Sequence, residues 1–271
     1  MIFSVIKKPM NHKLLIVLVG ALTTGAVSSQ AQMAAPAPAP SPTWTVTASA
    51  VSQYMFRGVR FGGPSFQPSA EYASGPLVAG LWANLPVSDK VPGTSDPEID
   101  LYGSYTETIS DSLNFALGLT AYTYPRAERS NGFYTWTVEP SLAVNYTLAG
   151  LKLTPKVYYD LMLNGPTAEF TAAYAVPLKD MGTELRFTGT VGTFKWSEAF
   201  ENSSPKTKNW GDYWAVGVAA PFQINPRSSL TVGWAYTGGE DNFVKQGTLP
   251  KVKNTAAVHR GVVTISYAYT F

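Results

Sequence analysis

Which side chains in these 271 residues could do chemistry? Cysteine is absent, so thiolate metal sites, thiol nucleophiles and disulfides are excluded. Nucleophilic or acid–base catalysis needs a nucleophile, a base and an orienting group within reach of one another. Beyond the first dozen residues the sequence offers a single histidine, His259, on the same parity as Gly261, Val263 and Ile265. It is expected to point outward near a strand end, as a solvated or interfacial ring and not as a base. No glycine-rich phosphate cradle and no His-based metal spacing occurs, so no enzyme activity, metal or cofactor is expected. The ionisable residues that share a face are more suggestive: Arg57, Glu71, Glu98, Asp100, Glu139, Lys156, Asp160, Glu169, Glu184, Arg186 and Arg260 all lie opposite the aromatic positions. Side chains of this kind on one polar face act by electrostatic field, without covalent steps.

The elements that must position them are strands. Leu113, Phe115, Leu117 and Leu119 alternate with Asn114, Ala116, Gly118 and Thr120. Leu230, Val232, Trp234 and Tyr236 alternate with Thr231, Gly233 and Ala235, and Val263, Ile265, Tyr267, Tyr269 and Phe271 with Thr264, Ser266, Ala268 and Thr270. A period of two places one set on each face of a sheet. Turn signals divide the chain into twelve expected strands, at 43–58, 65–74, 77–87, 97–109, 112–124, 133–148, 151–163, 167–178, 182–195, 211–223, 228–238 and 257–271. Tight turns at Gly75-Pro76, Ser110-Asp111, Ala149-Gly150, Lys179–Gly182 and Pro226-Arg227 interleave with mostly longer connections at 88–96, 125–132, 196–210 and 239–256. That alternation suits a transmembrane antiparallel up-and-down β-barrel with short periplasmic turns and longer outer loops.

Composition points the same way. Charged residues make up 14% of the chain, well below the usual ~25% of soluble domains, while 13% are aromatic. A soluble β-sandwich or adhesin would need charged outer faces. Residues 1–31 carry Lys7, Lys8 and Lys13, an apolar run from Leu14 to Val27 and small residues at Ser29 and Ala31, the pattern of a secretory signal; an uncleaved inner-membrane anchor is the weaker alternative. Without those three lysines, 17 basic residues face 18 acidic ones, so no nucleic-acid partner is expected. Residues 32–42, rich in Ala and Pro, are expected to be a disordered lead, and 43–271 the barrel. Aromatics near strand ends (Trp44, Tyr54, Phe56, Tyr124, Tyr134, Trp136, Tyr146, Phe194, Trp196, Trp214 and Tyr236) are expected to form two interfacial girdles.

The chain ends Tyr267-Ala268-Tyr269-Thr270-Phe271, which resembles the C-terminal signal read by the outer-membrane assembly machinery. The blocks Tyr54-Met55-Phe56-Arg57-Gly58, Pro64–Ser69, Gly80–Asn84, Glu98–Tyr105 and Ala121–Pro125 resemble the TorF-type (Gcw_chp) outer-membrane porin family, over about residues 50–125. The resemblance implies a bacterial outer-membrane barrel of transport type and supplies no catalytic residues. Its partners would be outer-membrane lipid and lipopolysaccharide, the assembly machinery through Tyr267, Tyr269 and Phe271, and small hydrophilic solutes.

Hairpin registers sharpen the lumen. Pairing about Ala149-Gly150 sets Glu139 beside Asp160, and pairing about Asn164-Gly165 sets Asp160 beside Glu169. Arg57 and Arg260 fall at similar height on the first and last strands, opposite that acidic row. Arg57, Arg260, Glu139, Asp160, Glu169, Lys156 and Arg186 are therefore the candidate pore-lining residues, and a transverse field across the upper lumen is one expectation. The other is that these groups pair with lumen neighbours and fill a plugged barrel. The functional alternatives follow: a porin-like passive channel for small hydrophilic solutes, or a closed structural or adhesive barrel. The outer loops 196–210 and 239–256 are expected to be solvated surface, and no metal site is assigned to Asp89, Asp96 and Glu98.

Overall fold

The computed structural model describes residues 42–89, 97–127, 135–195, 210–239 and 259–271. The signal and lead segments, and most of the four long loops, lie outside the described residues, as do Tyr134 and Trp196. Among the described residues fourteen strands follow one another: β1 (Thr43–Val51), β2 (Tyr54–Phe56), β3 (Val59–Gly62), β4 (Ser65–Ser74), β5 (Leu77–Pro86), β6 (Glu98–Ser110), β7 (Leu113–Thr123), β8 (Trp136–Leu148), β9 (Leu151–Asp160), β10 (Gly165–Leu178), β11 (Thr183–Lys195), β12 (Trp210–Asn225), β13 (Ser228–Gly239) and β14 (Arg260–Thr270). Twelve of them close into one antiparallel barrel, with β1 joined to β4 on one side and to β14 on the other, while β2 and β3 form a separate two-stranded hairpin. No described helix is long and apolar enough to cross a membrane.

The alternation in the sequence becomes an inside and an outside. Leu117 is 58% exposed while its neighbour Ala116 is 7% exposed; Ile265 is 50% exposed and Thr264 5%. The apolar set therefore faces outward, toward lipid in a barrel of this type, and the small and polar set lines the lumen. Cross-strand contacts tighten the inner face: Thr45 with Thr270, Ser49 with Ser266 and Thr171 with Thr190 join their hydroxyls at 2.8–3.0 Å. The inner aromatic ring of Tyr213 lies over Gly192, its register partner, where a Cβ would come within 2.2 Å of the ring.

The barrel has a turn end and a loop end. The start of β1 and the last residue meet at the turn end, where Phe271 N–H donates to Trp44 O at 2.8 Å. There Ala149 and Gly150 take φ of +49° and +83°, the left-handed pair of a two-residue hairpin turn.

One expected strand is wrong in kind. Residues 43–58 do not run as a single strand, because the wall ends at Val51. Ser52 closes the ladder, donating N–H to Val263 O and accepting Val263 N–H at its Oγ. The chain then turns into the lumen as the β2–β3 hairpin. Arg57 and Gly58 form its tip with φ of +48° and +76°, the two left-handed positions of a type I′ turn. Residues 59–64, left between the expected strands 43–58 and 65–74, carry the second half of this hairpin, β3. Among the other boundary differences, the turn between β9 and β10 matters for the lumen: β9 stops at Asp160, against an expected 163, and β10 starts at Gly165, against 167. The Asp160 carboxylate accepts the backbone N–H of Met162 at 3.0 Å and of Leu163 at 2.7 Å, so it shapes a four-residue turn.

Candidate functional site

The hairpin brings together residues that no single strand could. Its tip residue Arg57 reaches β8, which lies five strands from β1 around the ring by way of β4. There it forms a bidentate pair with Glu139: Nη1 donates to Oε1 at 2.9 Å and Nη2 to Oε2 at 2.8 Å. The side chains are 10% and 1% exposed. Tyr122 on β7 donates its hydroxyl to Glu139 Oε2 at 3.0 Å, so three groups saturate one carboxylate. The guanidinium is sandwiched by rings, 4.6 Å from the Phe56 centroid and 4.8 Å from that of Tyr158. Planar charge, fork geometry and aromatic faces all favour arginine over lysine here.

Three further contacts hold the hairpin. Tyr54 donates its hydroxyl to Glu98 Oε2 at 2.6 Å, and Tyr124 donates to the other oxygen at 3.3 Å. Arg60 donates Nε to Gln53 Oε1 at 2.6 Å and pairs with Asp89 just beyond β5. Gly58 packs against the loop end of β13, where a Cβ would come within 2.5 Å of the Gly239 Cα. The apolar contribution is slight: among the described residues the buried cluster is Val51, Met55 and Val262. A cavity of about 30 Å³, room for about one water, remains beside the ion pair between Phe56, Tyr122, Glu139, Asp160 and Leu163.

The expected pore-lining residues separate accordingly. Glu139, Asp160, Glu169, Lys156 and Arg186 do project from inward positions of their strands. Leu161 N–H donates to Val138 O at 2.9 Å, which continues the β8–β9 register and sets Glu139 beside Asp160 as expected. Asp160 is not beside Glu169, however. The four-residue turn makes Gly165 the partner of Asp160 and Lys156 the partner of Glu169, so the acidic row is broken by a lysine. Arg57 is not part of a basic wall, since it crosses the lumen and meets Glu139 directly. Arg260 has inward parity but sits exposed at the rim, its Nη1 3.4 Å from His259 O. Arg186 lies toward the turn end, buried, with Nε donating to Glu184 Oε1 at 2.5 Å. A field between separated walls is therefore replaced by an ion pair in contact.

Several girdle aromatics also change place. Trp44, Trp136, Tyr146 and Tyr236 are exposed on the outer face, but Tyr54 and Phe194 are buried inside, and Phe56 and Tyr124 join the hairpin contacts. His259 stacks edge-on against outward Trp214 and Tyr236, at 5.6 and 6.4 Å. Among the described residues no group of three or more His, Asp or Glu side chains is placed to hold a metal. The residues that sequence reasoning missed are tyrosines. Tyr122, Tyr158 and Tyr213 donate to Glu139 or Glu169, the last two to Glu169 at 3.5 and 2.8 Å. Their signal was available, because Tyr122 shares parity with Thr120 and Tyr158 with Lys156 and Asp160.

Comparison with known proteins agrees with this geometry. The Gcw_chp family model, described as a bacterial protein of unknown function, matches residues 35–269. The narrower TorF-type label has no support of its own. No curated protein matches the sequence. Among solved structures, the KdgM porin superposes with a TM-score of 0.53, covering 84% of this chain and 99% of that one at 9% identity. The NanC porin superposes with a TM-score of 0.51, covering 83% and 98%, also at 9% identity. At that identity the likeness is one of fold, to barrels of the outer-membrane porin type.

Proposed function

The chain belongs to the Gcw_chp family of bacterial proteins of unknown function, and from that premise we propose that it is an outer-membrane, porin-like channel for passive diffusion of small hydrophilic solutes. It performs no covalent step and uses no cofactor. Residues 1–31 export it, Tyr267, Tyr269 and Phe271 address it to the assembly machinery, and its outer face meets lipid and lipopolysaccharide. The observation that carries the reading is the way the β2–β3 hairpin is held. A permanent structural plug would bury mainly apolar surface against the wall, whereas this hairpin is held by two ion pairs, Arg57 with Glu139 and Arg60 with Asp89, and by tyrosine hydroxyls, beside a three-residue apolar cluster and the ring contacts of Tyr54 with Trp82 and of Phe56 with Tyr122. Polar bonds in a wettable lumen exchange with water at little net cost, which suits a constriction through which solutes pass.

The closed, structural barrel keeps one observation in its favour: Tyr54 and Met55 are each only 3% exposed, so the hairpin is well seated. Swelling of liposomes carrying the full chain separates the two. Uncharged sugars should enter faster than into protein-free vesicles, with rates falling as sugar size grows. Swelling at the lipid background for every sugar would overturn the channel reading.

A further inference from the structure

At the loop end of the lumen, carboxylates crowd one arc of the wall. Glu98 and Asp100 lie on β6, Glu139 on β8, Asp160 at the end of β9 and Glu169 on β10. Among the described residues the cations that face them are fewer: Arg57, Lys156 and Lys195, the last lining the small cavity beside Glu139. Arg60 is engaged by Asp89 at the other side of the hairpin.

What orients these carboxylates matters more than their number. Glu169 accepts the hydroxyls of Tyr158 and Tyr213. Asp160 accepts the Thr137 hydroxyl and two backbone N–H groups. Neutral donors fix a carboxylate in place without cancelling its charge, unlike a lysine or arginine partner. Lys156 sets its ammonium over the Tyr158 ring at 4.5 Å. Asp100 goes further. It is 5% exposed and its Oδ1 has no hydrogen-bond donor, although it faces the lumen beside Tyr122, its register partner and the residue that holds Glu139. A buried carboxylate oxygen left without a donor is costly, and either a proton or a bound cation relieves it.

We infer that the loop-end lumen is a cation filter, in which small monovalent cations and ammonium-type solutes bind along the β6–β10 arc with Asp100 as a ligand. The inference rests on the channel reading above and names the charge class of the solutes that it admits. Among the described residues, five carboxylates, when all are ionised, against three cations leave an excess of two negative charges. At about 8 Å from the ion path, in a water-like dielectric and with physiological screening, that excess favours a monovalent cation over an anion by about three- to fourfold.

Planar-bilayer recording of the full chain under a KCl gradient tests it, because only folded, inserted barrels carry current. The reversal potential should report potassium over chloride by about three- to fourfold. Asp100→Asn should lower the ratio to about twofold, and Asp100→Asn with Glu169→Gln should bring it close to one. Current with equal permeability or chloride preference, or a ratio unmoved in both variants, overturns the filter while leaving the channel intact. The absence of any current, with swelling at background, overturns the channel reading and the filter together.

Discussion

Replacing Arg57 by alanine should unlatch the hairpin. The substituted residue would keep the same left-handed backbone position, so the strain at φ +48° is unchanged and the difference lies in the side chain. The change removes both charge-assisted bonds to Glu139, whose side chain is 1% exposed, and leaves that carboxylate with the Tyr122 hydroxyl. Breaking a buried ion pair from one side costs about 3–5 kcal/mol. Water readmitted from the lumen returns part of this once the hairpin swings away, so about 2–3 kcal/mol should act on the closed state. That is about a 30- to 150-fold shift of the equilibrium toward the open state. Single-channel recording should show frequent, larger openings for Arg57→Ala and a lower, steadier conductance for the native protein. Adding Glu139→Gln should partly reverse the effect, because a neutral amide bonded to Tyr122 no longer penalises the closed position. Identical conductance and gating in Arg57→Ala and native protein would refute the latch. Strictly additive effects of the two changes would refute its electrostatic basis.

The same hairpin can be displaced without touching a charge: Gly58→Ala places a Cβ within 2.5 Å of the Gly239 Cα, at a φ of +76° that suits glycine. Its recordings should resemble those of Arg57→Ala, and a native trace would show that the contact with β13 is not needed for seating. On the outer face, Leu117→Arg puts a charge at a 58% exposed position near the middle of β7 and should cost about 2–4 kcal/mol of barrel stability. Heat-modified mobility on gels reads that loss, and an unshifted unfolding temperature would contradict a lipid-facing assignment.

Much of the wall was legible because strand periodicity is local. The parity of Leu113–Thr120 and of Val263–Thr270 assigns inside and outside without knowledge of any neighbour, and two-residue turns such as Ala149-Gly150 fix register within a few residues. The register across Asp160 and Gly165 failed for an equally physical reason. Asn164-Gly165 looks like a tight turn, but the Asp160 carboxylate captures two N–H groups and lengthens the turn, which moves Glu169 from Asp160 to Lys156. A side chain's competition for backbone donors is not written in the hydrophobic pattern. The aromatics at 54 and 56 misled in a similar way, since Tyr54 and Phe56 look like girdle residues and instead pack against Phe61 inside the barrel.

By itself, then, the sequence determined a twelve-stranded wall, its two faces, its tight turns and the polar character of its lumen, because each depends on period two and on turn chemistry within a few residues. It also placed Glu139, Asp160, Glu169, Lys156 and Arg186 on the inner face. Only the tertiary structure decided that the chain leaves the wall at Val51, that Arg57 crosses to Glu139 eighty-two positions later, and that tyrosines hold the neighbouring carboxylates. Those contacts join strands far apart in the chain, and closure of the ring sets the distance between them. Whether two opposite charges across a lumen act as a field or as a bond is a matter of that distance, and here a hairpin spans it.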